Sequence, residues 1–392
     1  MAWQSNAPIL PSLTGWREPH IFTSSAQLQQ MMLEVIAQNA SETILMPGEP
    51  VLLEMDGELR QLTERRLDPH ELESLVNWAS DNDKASAEII QRREIKASYV
   101  VKDPEKRDRR GDRQRYRFRV AAGRGEVNGE MGIQILMRKI DEVPAKLREN
   151  ELSAALLEAC TPKDGIIWLT GGTGHGKTTF FSALCRYILE NRTPIRGNIC
   201  FVEEPIEQTY DSIPCDHSVV FPIEVGRDVN TWEEGVRQLM RRRPKLIVIG
   251  ETQSRATAEA ALSAANTGHP VFTTLHTNDV ASIPSRIMSF FDDSVKQQML
   301  YSWVDTARVL FNQMLVKKVG GGRQVLREHL IMTSDLREEL LRTTDVGKLT
   351  LTLQAAVAER GCSMWRAASE ARESGLIDDA TFRMATQGKA RG

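Results

Sequence analysis

The chain has 392 residues, enough for two or three domains, and its 41% hydrophobic and 26% charged residues are ordinary for a globular protein. Its 50 basic and 53 acidic residues give a net charge of −3, which argues against a dedicated binder of duplex nucleic acid. The five cysteines include no CxxC pair, so neither a disulfide framework nor a four-cysteine zinc site is expected. No stretch approaches the ~20 apolar residues of a membrane-spanning helix, and the N-terminus does not read as a signal peptide.

The N-terminal third predicts an irregular arm over residues 1–22, followed by a small α+β domain over 23–143. Apolar residues in this domain show helical spacing in some segments and strand-like alternation in others, and turn residues such as Asp56-Gly57 separate the segments. The predicted elements are a helix over 28–36, strands over 51–55 and 58–60, a helix over 68–79, and strands over 115–120 and 131–138.

The most charged segment runs from Lys106 to Val120 and predicts an exposed loop over 108–112 leading into a strand. Strict alternation over 115–120 places three arginines on one face and Tyr116, Phe118 and Val120 on the other.

From about Glu151 onward, short apolar runs alternate with helical patterns, which predicts a parallel sheet covered by helices on both faces. We expect a second domain over 144–392 whose C-terminal region, after about Gly320, is helical and charged. The apolar runs are 166–170, 198–202, 246–249 and 271–275.

A glycine-rich segment, GGTGHGKT at 171–178, directly follows the 166–170 strand and precedes a helical pattern. This context is typical of a phosphate-binding loop, in which successive backbone N–H groups and the helix N-terminus hold phosphate oxygens. Lys177 can reach the β- and γ-phosphates, and the Thr178 hydroxyl can bind Mg²⁺. The sequence therefore predicts a site for ATP and Mg²⁺. The predicted loop residues are Gly171, Gly172, Thr173, Gly174, His175, Gly176, Lys177, Thr178 and Thr179.

Acidic residues follow two of the predicted parallel strands, at the edge where ligands bind. Glu251 follows the 246–249 strand, and we expect it to polarise the attacking water. Glu203, Glu204 and Glu207 follow the 198–202 strand; one of them could hold Mg²⁺, or the three could form a solvated turn.

His269 and His276 flank the 271–275 strand, and seven extended residues span about 23 Å. Only one of the two can reach the phosphates, and the carboxyl-end rule favours His276; a purely structural histidine is the alternative. Ahead of the 246–249 strand, an amphipathic helix from Val229 to Met240 directs Arg237 and Arg241–Arg243 away from its apolar stripe. These arginines form either a solvated face or a group facing a neighbouring subunit's nucleotide.

Four motifs occur in a fixed order: GGTGHGKTT at 171–179, VEEPIE at 202–207, LIVIGE at 246–251 and TGHPVFTTLHT at 267–277. Together they resemble the Walker A, acidic, Walker B-like and histidine boxes of the secretion ATPase superfamily of type II and type IV secretion systems and type IV pili. The resemblance implies a RecA-like P-loop ATPase domain, with Glu204, Glu251 and His276 catalytic and Glu204 also binding Mg²⁺ with Thr178.

The N-terminal half is similar to the PAS-like domain of PilT-type motors. This similarity rests on Gly48-Glu49-Pro50 and on MDGELR at 55–60. Arg119, Arg124 and Arg138 fall where that family has arginines that approach the nucleotide. The missing Cys₄ zinc element points to the PilT-like branch, and Arg241-Arg242-Arg243-Pro244-Lys245 looks most like the DotB and TraJ ATPases of type IVB secretion and conjugation.

Three positions depart from the family pattern. Gln253-Ser254 stands where Arg-Asp is usual, Glu204 where Asp is common, and His175 where a small residue is usual.

The resemblance implies a homohexameric, Mg²⁺-dependent ATP-hydrolysing motor at the cytoplasmic face of the inner membrane. Its partners would be platform or coupling proteins of a secretion, conjugation or pilus machine, with no direct contact to nucleic acid. Three alternatives stay open: a pilus retraction motor specifically, a RecA-like DNA motor that uses the basic face over 107–119, and a nucleotide-binding scaffold with little turnover.

Overall fold

The computed structural model describes residues 7–55, 58–107, 111–127, 129–140, 143–148, 151–342 and 345–388. It separates into two compact units: residues 1–143 with 204–212, and residues 144–203 with 213–392. The predicted Asp56-Gly57 turn and residues 108–110 of the predicted exposed loop lie outside the described residues.

The first unit is built on a six-stranded antiparallel sheet in the order β3-β2-β1-β6-β5-β4. The predicted helices and hairpin strands are present, and the strands predicted over 115–120 and 131–138 pair with each other. The elements are β1 (Glu42–Leu45), β2 (Leu52–Met55), β3 (Glu58–Gln61), β4 (Ile95–Arg107), β5 (Arg113–Val127), β6 (Glu130–Ile140), α1 (Ser25–Ala37), α2 (Pro69–Ser80) and α3 (Ala85–Ile90).

The core of this unit lies between the sheet and the helices. Phe118 and Val120 on β5 are buried, as the alternation predicts, and they share a cluster with Leu28 on α1 and Leu72 on α2. Asp68 starts α2 with a capping box, in which its side chain accepts a backbone N–H while the Glu71 side chain returns to the N-cap.

The N-terminal arm has no helix or long strand among its described residues, but it is anchored to the first unit. Leu10 N donates to Gln61 O at 2.8 Å, and Gln61 N donates to Pro8 O at 2.9 Å, which adds a short bridge beside β3.

The second unit is built on a seven-stranded sheet in the order β13-β12-β7-β11-β10-β8-β9. Every neighbouring pair is parallel except β12–β13, so the predicted parallel sheet is confirmed. The strands are β7 (Gly165–Thr170), β8 (Asn198–Glu203), β9 (Val219–Glu224), β10 (Pro244–Ile249), β11 (Pro270–Leu275), β12 (Ala307–Lys317) and β13 (Arg323–Ile331).

Helices cover this sheet, and the interior strands β7 and β11 are buried along their whole length. The helices are α4 (Ala154–Ala159), α5 (Lys177–Glu190), α6 (Trp232–Met240), α7 (Arg255–Asn266), α8 (Ile283–Met288), α9 (Asp293–Thr306), α10 (Ser334–Leu341), α11 (Val346–Arg360), α12 (Met364–Glu373) and α13 (Asp379–Thr386).

The prediction that the chain is helical after about Gly320 is wrong for residues 323–331, which form a strand. β12 and β13 form an antiparallel hairpin whose turn contains Gly320, Gly321 and Gly322, all with positive φ, and the helical region begins only at Ser334. β13 is an edge strand that carries Arg323, Arg327 and other polar residues, so it lacks the continuous apolar run that marks the interior strands.

Candidate functional site

The glycine-rich segment runs from the carboxyl end of β7 into the first turn of α5, as the sequence predicts. Gly171, Gly174 and Gly176 have φ values of +143°, +76° and +76°, a region that favours glycine. A Cβ on Gly171 would lie 2.3 Å from the backbone oxygen of Gln313 on β12. The loop therefore lies directly against β12, and only glycine fits at its first position.

Lys177 closes over this loop. Its Nζ donates to Gly171 O at 2.9 Å and Gly172 O at 3.1 Å, and lies 3.5 Å from His276 Nδ1. Burial lowers the pKa of Lys177, while the Glu251 carboxylate opposes that shift. The partly buried ammonium group of Lys177 is thus held where phosphate oxygens would bind to the loop.

Glu251 and His276 form a pair beside Lys177. His276 Nε2 lies 3.0 Å from Glu251 Oε1, and Gln253 Nε2 donates to Glu251 Oε2 at 2.8 Å. Both carboxylate oxygens therefore have a partner. Gln253, which departs from the family pattern, serves here to orient the glutamate.

Threonines hold the strand ends that carry this pair. Thr170 Oγ1 on β7 lies 2.8 Å from Thr277 Oγ1 and accepts from Thr277 N at 2.5 Å, just after His276. Thr274 Oγ1 on β11 donates to Gly250 O at 2.6 Å, just before Glu251. These contacts place residues from three adjacent strands at one edge of the sheet.

His269 lies at the other end of β11. Its Nδ1 is 3.1 Å from Ala264 O and 3.1 Å from Thr267 Oγ1, so it caps the end of α7 and is not beside the loop. Arg237 and Arg241–Arg243 are exposed, and the Arg242 guanidinium stacks 4.3 Å from the centre of the Phe221 ring.

The acidic segment is divided between the two units. Glu203 is the last residue of β8 and is buried in the second unit, whereas Glu204 and Glu207 belong to the first. Within the first unit, Arg119 Nη1 donates to Glu207 Oε1 at 3.2 Å.

The three arginines expected near the nucleotide do not form one cluster. Arg119 and Arg138 are directly opposite in the β5–β6 pair, and Arg138 Nε donates to Glu42 Oε1 at 2.6 Å. Arg124 lies five residues along β5 and so projects from the other face, where it donates to Ile90 O at 2.8 Å.

Two site residues were missed by the sequence analysis because β12 and β13 were not predicted. Gln313 on β12 donates from Nε2 to His175 O at 2.7 Å, and Arg327 on β13 donates from Nε to Gln313 Oε1 at 2.7 Å. No motif marks them, and only the strand pairing reveals them.

The residues present fit a magnesium ion that binds together with nucleotide phosphates. Mg²⁺ keeps several waters and takes few protein oxygens, and the Thr178 hydroxyl is exposed on the first turn of α5 beside Lys177. Among the described residues no group of three or more His, Cys, Asp or Glu is placed to hold a metal by itself. Phosphate oxygens would therefore have to complete the coordination.

A parallel sheet, a glycine-rich loop leading into a helix, a lysine inside that loop and a glutamate on an adjacent strand end define a phosphate-binding α/β protein. The family model for Type II/IV secretion system protein matches residues 24–362. The chain belongs to this family, and the predicted membership of the secretion ATPase superfamily is confirmed.

Individual relatives agree with this assignment. The type IV pilus retractation ATPase PilT of Pseudomonas aeruginosa is 29% identical over 317 residues, covering 81% of this chain and 86% of that protein. The X-ray structure of the Legionella pneumophila ATPase DotB matches with a TM-score of 0.88 and 33% identity, covering 98% of this chain and 100% of that one. The pilus retraction motor PilT with bound ADP matches with a TM-score of 0.71 and 26% identity, covering 92% of this chain and 97% of that one. The predicted likeness to PilT and DotB is therefore confirmed.

Across the described residues, no helix combines the length and apolar character that crossing a membrane requires.

Proposed function

We propose that this protein is an ATP-hydrolysing motor of a type IV secretion, conjugation or type IV pilus machine. One observation carries the hydrolytic part of the proposal: Glu251 is paired with His276 beside Lys177, at the mouth of the glycine-rich loop. A scaffold that only binds nucleotide needs the loop and the lysine but has no use for an oriented carboxylate.

The proposed reaction assigns one role to each group. Backbone N–H groups of 171–176 and Lys177 bind the β- and γ-phosphates, and Glu251 orients the water that attacks the γ-phosphorus. The bond between the γ-phosphorus and the β–γ bridging oxygen breaks, ADP leaves with that oxygen, and the proton of the attacking water passes to solvent by way of Glu251. His276 stands where it can donate to a γ-phosphate oxygen.

Mg²⁺, when bound, would neutralise charge on the phosphate oxygens, with Thr178 and Glu204 as its protein ligands. This assignment rests on the exposed Thr178 hydroxyl beside Lys177 and on the family resemblance of the acidic segment.

The finer assignments are also part of the proposal. We assign a RecA-like fold to the second unit and a PAS-like fold to the first, with Arg119, Arg124 and Arg138 linking the first to the nucleotide. The proposed assembly is a homohexamer at the cytoplasmic face of the inner membrane, bound to platform or coupling proteins. The names of two relatives, a type IV pilus retractation ATPase and the ATPase DotB, support the role as an ATPase motor. The two fold names, the roles of the arginines, the homohexamer and the membrane location rest on the family resemblance.

The substitution Glu251→Gln tests hydrolysis directly. It keeps the shape of the side chain but removes the carboxylate, so the Mg²⁺-ATPase rate should fall about 10²- to 10⁴-fold while the affinity for ATP changes less than about threefold. The matched control is Glu259→Gln on α7, an exposed glutamate that forms an ion pair with Arg255, and this substitution should leave the rate unchanged.

Equal turnover in wild type and Glu251→Gln would overturn the assignment of Glu251. Wild-type protein that binds ATP without turnover would instead favour the scaffold. Duplex DNA should not stimulate the rate; a stimulation that falls steeply with salt would favour the DNA motor.

A further inference from the structure

We propose that Gln313, Arg327 and Glu151 are positioning residues for the nucleotide site. They hold the peptide between His175 and Gly176 so that the Gly176 N–H faces the phosphates. This inference rests on the proposed function, because it assigns a role in nucleotide binding.

Gln313 connects β12 to the glycine-rich loop at two points. Its side-chain Nε2 donates to His175 O at 2.7 Å, and its backbone oxygen lies 3.3 Å from His175 Nδ1. The residue is 2% exposed, so these contacts are shielded from water. They also hold His175, one of the residues that depart from the family pattern, against β12.

The contact with His175 O determines where the next N–H points. In a trans peptide the carbonyl of one residue and the N–H of the following residue point in opposite directions. Because Gln313 holds His175 O towards β12, the Gly176 N–H points away from β12. Gly176 ends the loop at the N-terminus of α5, where such N–H groups bind phosphate.

Arg327 fixes the orientation of Gln313. Its Nε donates to Gln313 Oε1 at 2.7 Å, so the amide nitrogen of Gln313 must face His175. The Arg327 side chain is 10% exposed, and its guanidinium stacks 4.0 Å from the centre of the Phe180 ring on α5. A buried guanidinium needs a carboxylate partner, and Glu151 Oε1 accepts from Arg327 Nη2 at 2.6 Å.

Glu151 lies in the segment by which the chain enters the second unit, eight residues after the boundary at Val143. Its other oxygen accepts from Arg148 N at 2.8 Å, which holds this segment in place. A continuous set of hydrogen bonds thus runs from Glu151 through Arg327 and Gln313 to the loop. Displacement of the entering segment would therefore be transmitted to the phosphate-binding N–H.

The test is the substitution Gln313→Met, which keeps side-chain volume and charge but removes the donor to His175 O. The Kd for a fluorescent ADP analogue with Mg²⁺, and the KM for ATP, should each rise about tenfold, with kcat changed less than about threefold. A purely structural role would lower the melting temperature and the active fraction without changing Kd. The matched control is Gln324→Met on β13, where the glutamine side chain donates to Val325 O; this substitution should leave Kd unchanged.

A second pair of variants keeps the test decisive if Gln313→Met does not fold. Glu151→Ala should raise Kd and KM, whereas Glu151→Gln, which retains an acceptor for Arg327, should restore both to within about threefold of wild type. In the double variant of Gln313→Met and Glu151→Ala, the increases in Kd should be less than multiplicative, because Glu151 acts on the loop through Arg327 and Gln313.

Unchanged Kd in folded Gln313→Met, or in Glu151→Ala, would overturn the proposed positioning chain while leaving the motor assignment intact. Wild-type protein that fails to bind the ADP analogue would overturn the proposed function as well.

Discussion

Glu34 is fully buried on α1 and holds the N-terminal arm through its charge. Its carboxylate accepts from Ser12 Oγ, Leu13 N, Thr14 N, Thr14 Oγ1 and Gln38 Nε2. Burial by itself raises the pKa of Glu34, but the hydrogen bonds outweigh burial and lower that pKa from 4.5 to about 2. We therefore predict that docking of the arm depends on pH and on this one side chain.

The sign follows from the lowered pKa. A depressed folded-state pKa stabilises the docked arm fully above about pH 4.5, and that stabilisation is lost as the pH falls from 4.5 towards 2. The difference between the two pKa values corresponds to about 3 kcal/mol at neutral pH. In Glu34→Gln a single carboxamide oxygen faces several donors, so we expect a cost of about 2 kcal/mol and roughly thirtyfold more frequent opening of the arm at pH 7.

Hydrogen exchange of the full-length protein, read by mass spectrometry on peptides that cover Leu13 and Thr14, measures this opening directly. Protection should drop in Glu34→Gln at pH 7, and in wild type as the pH falls below 4.5 after correction for intrinsic exchange rates. The control is Glu18→Gln in the same arm. Glu18 accepts one hydrogen bond, from Glu64 N, which a carboxamide oxygen can still accept, so the effect should be smaller. Equal protection in wild type and Glu34→Gln would refute this account of how the arm is held.

Two further predictions concern the second unit. Gly171→Ala should lower the free energy of unfolding by about 3 kcal/mol, because its Cβ would lie 2.3 Å from a backbone oxygen of β12. Gly174→Ala has open space around its Cβ, so it should lower the free energy of unfolding by only about 1 kcal/mol, the cost of its positive φ. Chemical denaturation measures both values. Burial raises the pKa of the Cys160 thiol to about 12, so at pH 8 only ~1 in 10⁴ molecules carries the thiolate. In native protein N-ethylmaleimide should therefore modify the half-exposed Cys215 well before Cys160, as read by peptide mass spectrometry, and equal rates would contradict the burial of Cys160.

Elements whose sequence patterns are local could be predicted before the fold was known. Continuous apolar runs marked β7, β8, β10 and β11, and alternation marked the buried face of β5. The glycine-rich segment was recognisable because a phosphate-binding loop needs glycines and a lysine at fixed spacing between a strand and a helix. Residues that follow the strands could also be predicted as site residues, since parallel strands place their carboxyl ends at the same edge of the sheet.

Which of these residues come into contact depends on how the strands are ordered in the sheet. Glu251 and His276 are distant in sequence and become a pair because β10 and β11 are neighbours in the sheet. β13 escaped prediction because it is an edge strand rich in polar residues, and in β12 the buried Asn312 and Gln313 interrupt the apolar run. Gln313 and Arg327 were therefore not predicted as site residues. The role of a buried glutamine or arginine depends on its hydrogen-bond partners, and strand pairing brings those partners within reach.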